Sequence, residues 1–574
     1  LKANSPSCHC EPPAGGEAIS SADLILLNGR VYTMDERLPL AQAVAVRCGR
    51  IVAVGQGADI RALAGPDTEE VDAGGRAVLP GFTDAHIHLV DYGLSLGLVQ
   101  LDGVPSLQEA VARVAERART AKAGEWILGR GWNRNLWPGG CFPSRQDLDP
   151  VTPHNPVFLP SKDGHAAWVN SLALQLAGVT AATPDPPGAQ FERDPQTGEP
   201  TGLLKEGAAI EVVGRVCTQF STAQMVTAIQ AATERLHRMG IVGVHTPEGA
   251  PQLQALQHVW RRGELGLRVN FMVPEQHLQA VHSLGLRGGF GDEFLRLGAI
   301  KIFADGALGP RTADMFDPYD GEPDNRGIEV TTSERLRQLV TGCIADGWSP
   351  AIHAIGDRAN NRALDALEEH WRNWTTQGLR PRIEHVQLLA PQDLPRLGAM
   401  GVIASMQPIH CTSDMAMAER HWGARCSGAY AWRSLLASGA VLAFGSDAPV
   451  EDPDVFRGIH AAVTRQLPDG TPTGGWYPEQ RLTVAEAVYA YTMGSAYASG
   501  EERIKGSLSV GKQADLIVLS QDIFALPPEE LLHTQVEMTL IAGEPVYRNS
   551  TPCQSGPAGR RSHRLSRRRS CAPE

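Results

Sequence analysis

The chain has 574 residues, is 42% hydrophobic and 20% charged, and carries a formal net charge of −12 at pH 7. That length and apolar content suit a large globular body with a second unit beside it, while the acidic balance and the lack of a basic stripe in the body argue against nucleic acid as its partner. No apolar run reaches the roughly 18 residues that a membrane-spanning helix needs, and the cysteines, scattered without C-x-x-C spacing, suit a reduced, cytoplasmic setting with no membrane partner.

Residues 1–20 are rich in Ser, Pro and Gly and are expected to be disordered. Residues 22–33 predict strand, Asn28-Gly29 turn and strand, a hairpin by turn chemistry. A second pair of strands follows at 43–46 and 51–54, broken at Cys48-Gly49. Residues 514–519 echo 22–27, and 540–547 echo 26–32. The two echoes predict a β-sandwich built from both chain ends, 21–78 and 500–548, with everything from 79 to 499 inserted between them.

The middle alternates apolar runs with amphipathic stretches. Strands are predicted at 241–244, 267–272, 299–303, 350–353, 382–385, 402–406 and 441–444, with helices at 221–238, 333–346, 360–374 and 434–439. With a first strand before His86 the count is near eight. The expected fold is α/β, a (β/α)₈ barrel of the TIM type. Residues 103–206 break the repeat; they are rich in Trp, Pro and Gly, poor in clean strand patterns, and are expected to form a lid after the first barrel strand. The basic tail, 549–574, carries six Arg between 560 and 569 and is expected to be disordered.

Chemistry concentrates where the predicted strands end. In Leu79-Pro-Gly-Phe-Thr-Asp84-Ala-His86-Ile-His88, a strand would point His86 and His88 the same way, about 6.5 Å apart. Asp84 would share that face as a partner of the two rings. Lys301 lies inside an apolar run, His353 and His385 each end one, and Asp447 follows Gly445-Ser446 after the last. Singly each has an ordinary structural reading; six together at strand ends point to a metal cup at the C-terminal mouth of the barrel. His154, His410 and His421 have no strand-end context and read as surface or core.

The phrases Asp163-Gly-His165, Lys301-Ile-Phe-Ala-Asp305-Gly-Ala-Leu-Gly309, His353-Ala-Ile-Gly-Asp357, Ile383-Glu-His385 and Gly445-Ser-Asp-Ala-Pro449 resemble the amidohydrolase superfamily. Within it, the chain is similar over 22–548 to the YtcJ-like, family 3 branch that includes N-substituted formamide deformylases. In residues 243–248 it reads His245-Thr246 where relatives often read His-Asp. The resemblance implies that His86, His88 and Asp447 bind one divalent ion, with zinc the expected metal. It also implies that His353 and His385 bind a second ion where there are two, and that Lys301 bridges as a carbamate formed with carbon dioxide. Asp447 would be the general base and acid for a metal-activated hydroxide that cleaves a non-peptide C–N bond, with a small N-acyl or N-formyl amide as substrate. Trp132, Asn133, His165 and Arg311 are the substrate-contact candidates, and the tryptophans suit an apolar or aromatic substituent. A cyclic amide, an ester or an aminated ring on the same centre is the near alternative. A non-catalytic barrel scaffold is the distant one, against which six intact ligands argue. Assembly into a homo-oligomer is left open.

Overall fold

The computed structural model describes residues 21–549 apart from 163, 165, 187, 188, 206, 218, 219 and 310. The expectations for 1–20, for the tail beyond 549 and for His165 therefore lie outside the described residues. No helix among those described is long and apolar enough to cross a membrane.

The centre is a barrel of eight parallel strands in sequential order: β1 Phe82–Asp84, β2 Ile241–Thr246, β3 Arg268–Pro274, β4 Leu295–Phe303, β5 Ser349–Ala354, β6 Arg382–His385, β7 Ile403–Met406 and β8 Leu442–Phe444. All residues of β1, β2, β6, β7 and β8 are buried, as expected of strands covered by helices outside and side chains inside. The ladder runs unbroken from β1 to β8 but does not pair those two with each other. Single bonds beyond the strand ends close the seam: Ala85 N–H donates to Phe444 O at 2.9 Å, Asp447 N–H to His86 O at 2.7 Å and His88 N–H to Ala448 O at 2.8 Å.

Helix α1, Leu89–Ser95, follows the first strand, and α2, Thr222–Arg238, precedes the second. A capping box starts α2: Ser221 Oγ accepts from Gln224 N–H, and Gln224 Oε1 accepts from Ser221 N–H at 2.9 Å. Its Met225, Ala228, Ile229, Ala232 and Leu236 form one buried face. The two helices cross closely because residue 93 is glycine; a Cβ there would lie 2.2 Å from Ala228 O.

The region between α1 and α2 departs from expectation. It is not strand-poor but contains a six-stranded mixed sheet in the order Gln190–Arg193, Pro200–Lys205, Ala166–Val169, Val157–Pro160, Ile127–Arg130, Val99–Gln100. Its own core includes Trp132, Trp137 and Trp168. Turns and single prolines between short strands obscure the two-residue alternation that would reveal them.

Both chain ends meet in one six-stranded sheet, in the order Glu544–Arg548, Val536–Ile541, Leu516–Leu519, Ala77–Pro80, Arg30–Tyr32, Leu40–Ala41. A four-stranded sheet of Arg50–Gly55, Ala43–Arg47, Leu24–Leu27 and Glu69–Asp72 shares a core with it through Leu26, Val46, Val78, Leu516 and Leu540. The hairpin at Asn28-Gly29 is corrected: Leu24–Leu27 and Arg30–Tyr32 belong to different sheets, so this turn crosses between layers. Asn28 does adopt the left-handed conformation its type favours (φ 54°), but the flanking strands find better-buried partners elsewhere. Cys48-Gly49 does close a hairpin, pairing Arg47 with Arg50.

Of the ion pairs that join barrel to sandwich, one is buried on both sides and bidentate. Arg268, the first residue of β3, donates from Nη2 to Asp515 Oδ1 at 2.8 Å and from Nε to Oδ2 at 2.5 Å, with both side chains buried. Asp515 Oδ1 also accepts from Ala542 N–H at 2.9 Å. Removing one partner of a buried pair strands the other charge, at about 3–5 kcal/mol. Arg268→Ala is therefore expected to lower the stability to urea by about that amount, and a midpoint unchanged from the parent would show that the joint carries no such role.

Candidate metal centre

The cup is assembled at the β1–β8 seam. Asp84, at the end of β1, accepts from His86 N–H at 3.1 Å and Ser446 N–H at 3.0 Å through Oδ1, and from Ser446 Oγ–H at 2.6 Å through Oδ2. Its expected place beside the histidine rings is corrected: it holds backbone, not imidazole. Burial pushes its carboxyl up to about 7, against those hydrogen bonds. Gly445 is required here, because a Cβ would lie 2.4 Å from His86 N and 2.6 Å from Asp84 Oδ1.

His86 and His88 stand beyond the end of β1, in the turn into α1, rather than on the strand. Their convergence comes from the seam bonds, not from strand alternation. His86 Nε2 lies 3.6 Å and His88 Nε2 3.4 Å from Asp447 Oδ1. A tetrahedral ion with bonds of about 2.0–2.1 Å holds its donors about 3.3–3.4 Å apart, so these three atoms have the spacing of one coordination sphere. His385, His410 and Asp447 make a second group whose donor atoms lie within 4.8 Å of one another.

The outer ring atoms are tied down by specific partners. His86 Nδ1 donates to Glu384 Oε2 at 2.5 Å, His385 Nδ1 to Gln407 Oε1 at 2.8 Å and His353 Nε2 to Gly306 O at 3.0 Å. Each of these bonds leaves the other ring nitrogen as a lone-pair donor, the form a metal requires. Burial, with the Lys301 charge beside it, lowers His86 to about 4 and His353 to about 3; burial also takes His385 well below its ordinary value. All three are neutral at pH 7, so the short His86–Glu384 contact is a hydrogen bond to a carboxylate and not an ion pair. Asp447 is the reverse: burial works against ionisation, but the His88 hydrogen bond and the surrounding rings hold its carboxyl well below the usual range. The neutral rings of His86, His353 and His385 with an ionised carboxylate are donors suited to a divalent cation, while His88, against the effect of its burial, is raised by the Asp447 carboxylate.

Lys301 projects from β4 among these rings, 3% exposed, and burial lowers its amine to about 8. Two residues on, Phe303 is 44% exposed at the mouth; its ring lies 4.9 Å from Lys301 Nζ and 5.2 Å from His353. The His353 and His385 rings are 4.6 Å apart, and those of His86 and His385 4.9 Å. His385 and Asp447 adopt positive φ, 75° and 59°, a strain of about 1–3 kcal/mol each that the seam must hold.

Of the substrate-contact candidates, Trp132 is buried in the insertion core with its indole N–H donated to Leu159 O at 2.7 Å. Asn133 is half-buried beside it. Arg311 is half-exposed on the loop after β4 and pairs with Glu322.

Several residues of the centre escape sequence reasoning. Glu384 sits between Ile383 and His385, and with Arg382 it forms a charged i, i+2 pair on one face of a fully buried strand; that alternation was the available signal. Arg382 ties Glu384 Oε2 (3.0 Å), Ser405 Oγ (2.5 Å), Ala85 O (2.6 Å) and His245 Nδ1 (2.9 Å) together. Glu248 accepts from Val90 and Asp91 N–H at 2.8 and 3.0 Å, capping α1 behind His88. His410 is corrected from bystander to member of the cup; it lies on helix α3, Pro408–Trp422, one short turn beyond β7.

Comparison with known proteins agrees with this geometry. The amidohydrolase family model matches residues 69–547. The chain is 33% identical to YtcJ of Bacillus subtilis, over 91% of this chain and 99% of that one. It is 29% identical to the N-substituted formamide deformylase of Arthrobacter pascens, over 91% and 97%. A crystal structure of a metal-dependent hydrolase from Pyrococcus horikoshii superposes with a TM-score of 0.74 at 30% identity, covering 88% of this chain and 99% of that one. A barrel with His–Asp clusters at its mouth, matched by the family model over most of its length, belongs to the amidohydrolase family.

Proposed function

We propose that the protein hydrolyses a non-peptide C–N bond, that of a small N-acyl or N-formyl amide, on a divalent-metal centre. The observation that carries this reading is the convergence of His86 and His88 Nε2 on one oxygen of Asp447, at 3.6 and 3.4 Å, with that carboxylate ionised and the His86 ring oriented by Glu384. The similarity to a formamide deformylase supports the amide class.

On this reading His86, His88 and Asp447 would hold one ion, with zinc the expected metal; His353 and His385 would hold a second where there are two, and Lys301 would join the ligands as a carbamate. Burial among the rings favours the neutral amine that carbon dioxide requires. When bound, such an ion supplies Lewis acidity and brings a water's pKa from 15.7 to about 7. Asp447 takes the proton released as the water oxygen joins the carbonyl carbon. Being a weak base, it passes that proton readily to the far more basic leaving nitrogen as the C–N bond breaks, giving carboxylate and amine. Phe303, apolar and open at the mouth, offers a wall for the substituent on the substrate.

Asp447→Asn keeps the shape and removes the base. Against a panel of N-formyl, N-acyl and cyclic amides, it is expected to cut kcat by about 10²–10⁴; turnover equal to the parent's would overturn the mechanism. Glu384→Gln replaces an acceptor by a group that can also donate to His86, and second partners of metal-bound histidines are worth about 10–100-fold in metal affinity. A loss of that order is expected in competition with a chelator, and full retention would remove Glu384 from the centre.

A further inference from the structure

The partners of the outer ring nitrogens sort the histidines of the cup into two kinds. His86, His353 and His385 each face an acceptor with one nitrogen, a carboxylate, a carbonyl and an amide oxygen respectively, and so turn a lone pair inward. His410 faces the opposite chemistry. Its Nδ1 lies 3.4 Å from Gln387 Nε2, an amide N–H that donates to it. A ring accepting at Nδ1 carries its proton on Nε2. That Nε2–H is buried without a hydrogen-bond partner, 3.9 Å from Asp447 Oδ2. The His410 ring runs nearly parallel to that of His385, 7° apart in plane with centroids 6.3 Å apart, so it stands beside the ligand set rather than across it.

An unpartnered buried donor is costly to the fold, and in a native structure such a group calls for a catalytic role or a missing partner to account for it. Asp447 divides its two oxygens accordingly: Oδ1 faces His86 and His88, and Oδ2 faces His410. The 3.9 Å between Oδ2 and His410 Nε2 leaves no room for an atom on the line joining them, so a group that accepts the Nε2 proton approaches from the side away from the Asp447 carboxylate.

We propose that His410 is a catalytic residue that donates from Nε2–H to the carbonyl oxygen of the substrate, stabilising the negative charge that gathers there during attack. The inference rests on the amide-hydrolysis reading above and adds to it the group that receives this charge beside the metal. The group recognised is an oxygen bearing partial or full negative charge. No covalent step is involved; the Nε2 proton is shared with that oxygen and stays on the ring.

The test uses the full chain loaded with zinc, with His410→Ala and His410→Gln beside the parent. Glutamine restores an N–H close to the Nε2 position; alanine does not. Metal content is read by elemental analysis, binding of methylphosphonate by calorimetry, and turnover on the amide panel. The expected result is parent-level metal in both variants, methylphosphonate held about ten- to a hundredfold more weakly by His410→Ala, kcat reduced about 10²–10³ with KM little changed, and partial recovery in His410→Gln. Loss of metal in both variants would make His410 a ligand and overturn the assignment. Unchanged binding and turnover in His410→Ala, or a zinc-loaded parent that binds no methylphosphonate, would overturn it as well. Weakened methylphosphonate binding in a protein whose parent hydrolyses none of the amides would support the donor at Nε2 while overturning the amide reading alone.

Discussion

The carboxylate of Asp84 holds the place where the barrel would otherwise come apart. Seven of the eight strand junctions are closed by ladders; the eighth, between β1 and β8, depends on single bonds and on this buried group, which grips His86 on one side and Ser446 on the other. The candidate ligands that meet here, His86, His88 and Asp447, are those whose positions the ladders do not set. A continuous ladder would have pointed the residues of β1 and β8 alternately in and out; the seam instead lets two consecutive turns bring three donors to one point. The price is the positive φ of Asp447 and a glycine at 445 that no side chain can replace.

The same economy governs the rings. Each histidine has two nitrogens, and the protein specifies only the outer one: a carboxylate behind His86, a glutamine oxygen behind His385, a backbone carbonyl behind His353 and an amide N–H behind His410. Those four choices decide which inner nitrogens are lone pairs and which is a donor. Arg382 makes the arrangement rigid through four contacts beneath the cup: three reach Ala85 just past β1, His245 on β2 and Ser405 on β7, and the fourth holds Glu384 on its own strand.

How much of this could be read in the sequence follows from the same physics. The barrel was legible because its strands are continuous apolar runs separated by amphipathic helices, and the union of the two chain ends was legible because segments 22–27 and 514–519 share a pattern. The sheet in the insertion was not, since its strands are short and interrupted. Asn28-Gly29 misled because turn chemistry fixes the local bend but not which sheet receives the next strand. In the centre, His86, His88, His353, His385, Lys301 and Asp447 announce themselves by ending or interrupting apolar runs. Glu384 was hidden in a strand whose neighbours are equally buried, and His410 was hidden because a helix start, not a strand end, delivers it.

Charge ties these elements together. Without metal, the buried cup contains Glu384 and Asp447 as anions, with Arg382 and, below about pH 8, the Lys301 ammonium as cations. That set is close to balanced, which is what allows so many ionisable groups to be desolvated at once. A divalent ion added to a balanced cavity would bring two uncompensated charges. On the proposed reading, Lys301 supplies the compensation: passing from ammonium to carbamate changes its charge by two in the negative direction, enough to offset one divalent ion. A lysine in an apolar strand is then the residue type the site needs, since a permanent carboxylate at that position would leave the empty cup with a surplus of buried negative charge during folding. Arginine would stay cationic throughout and could not make the change.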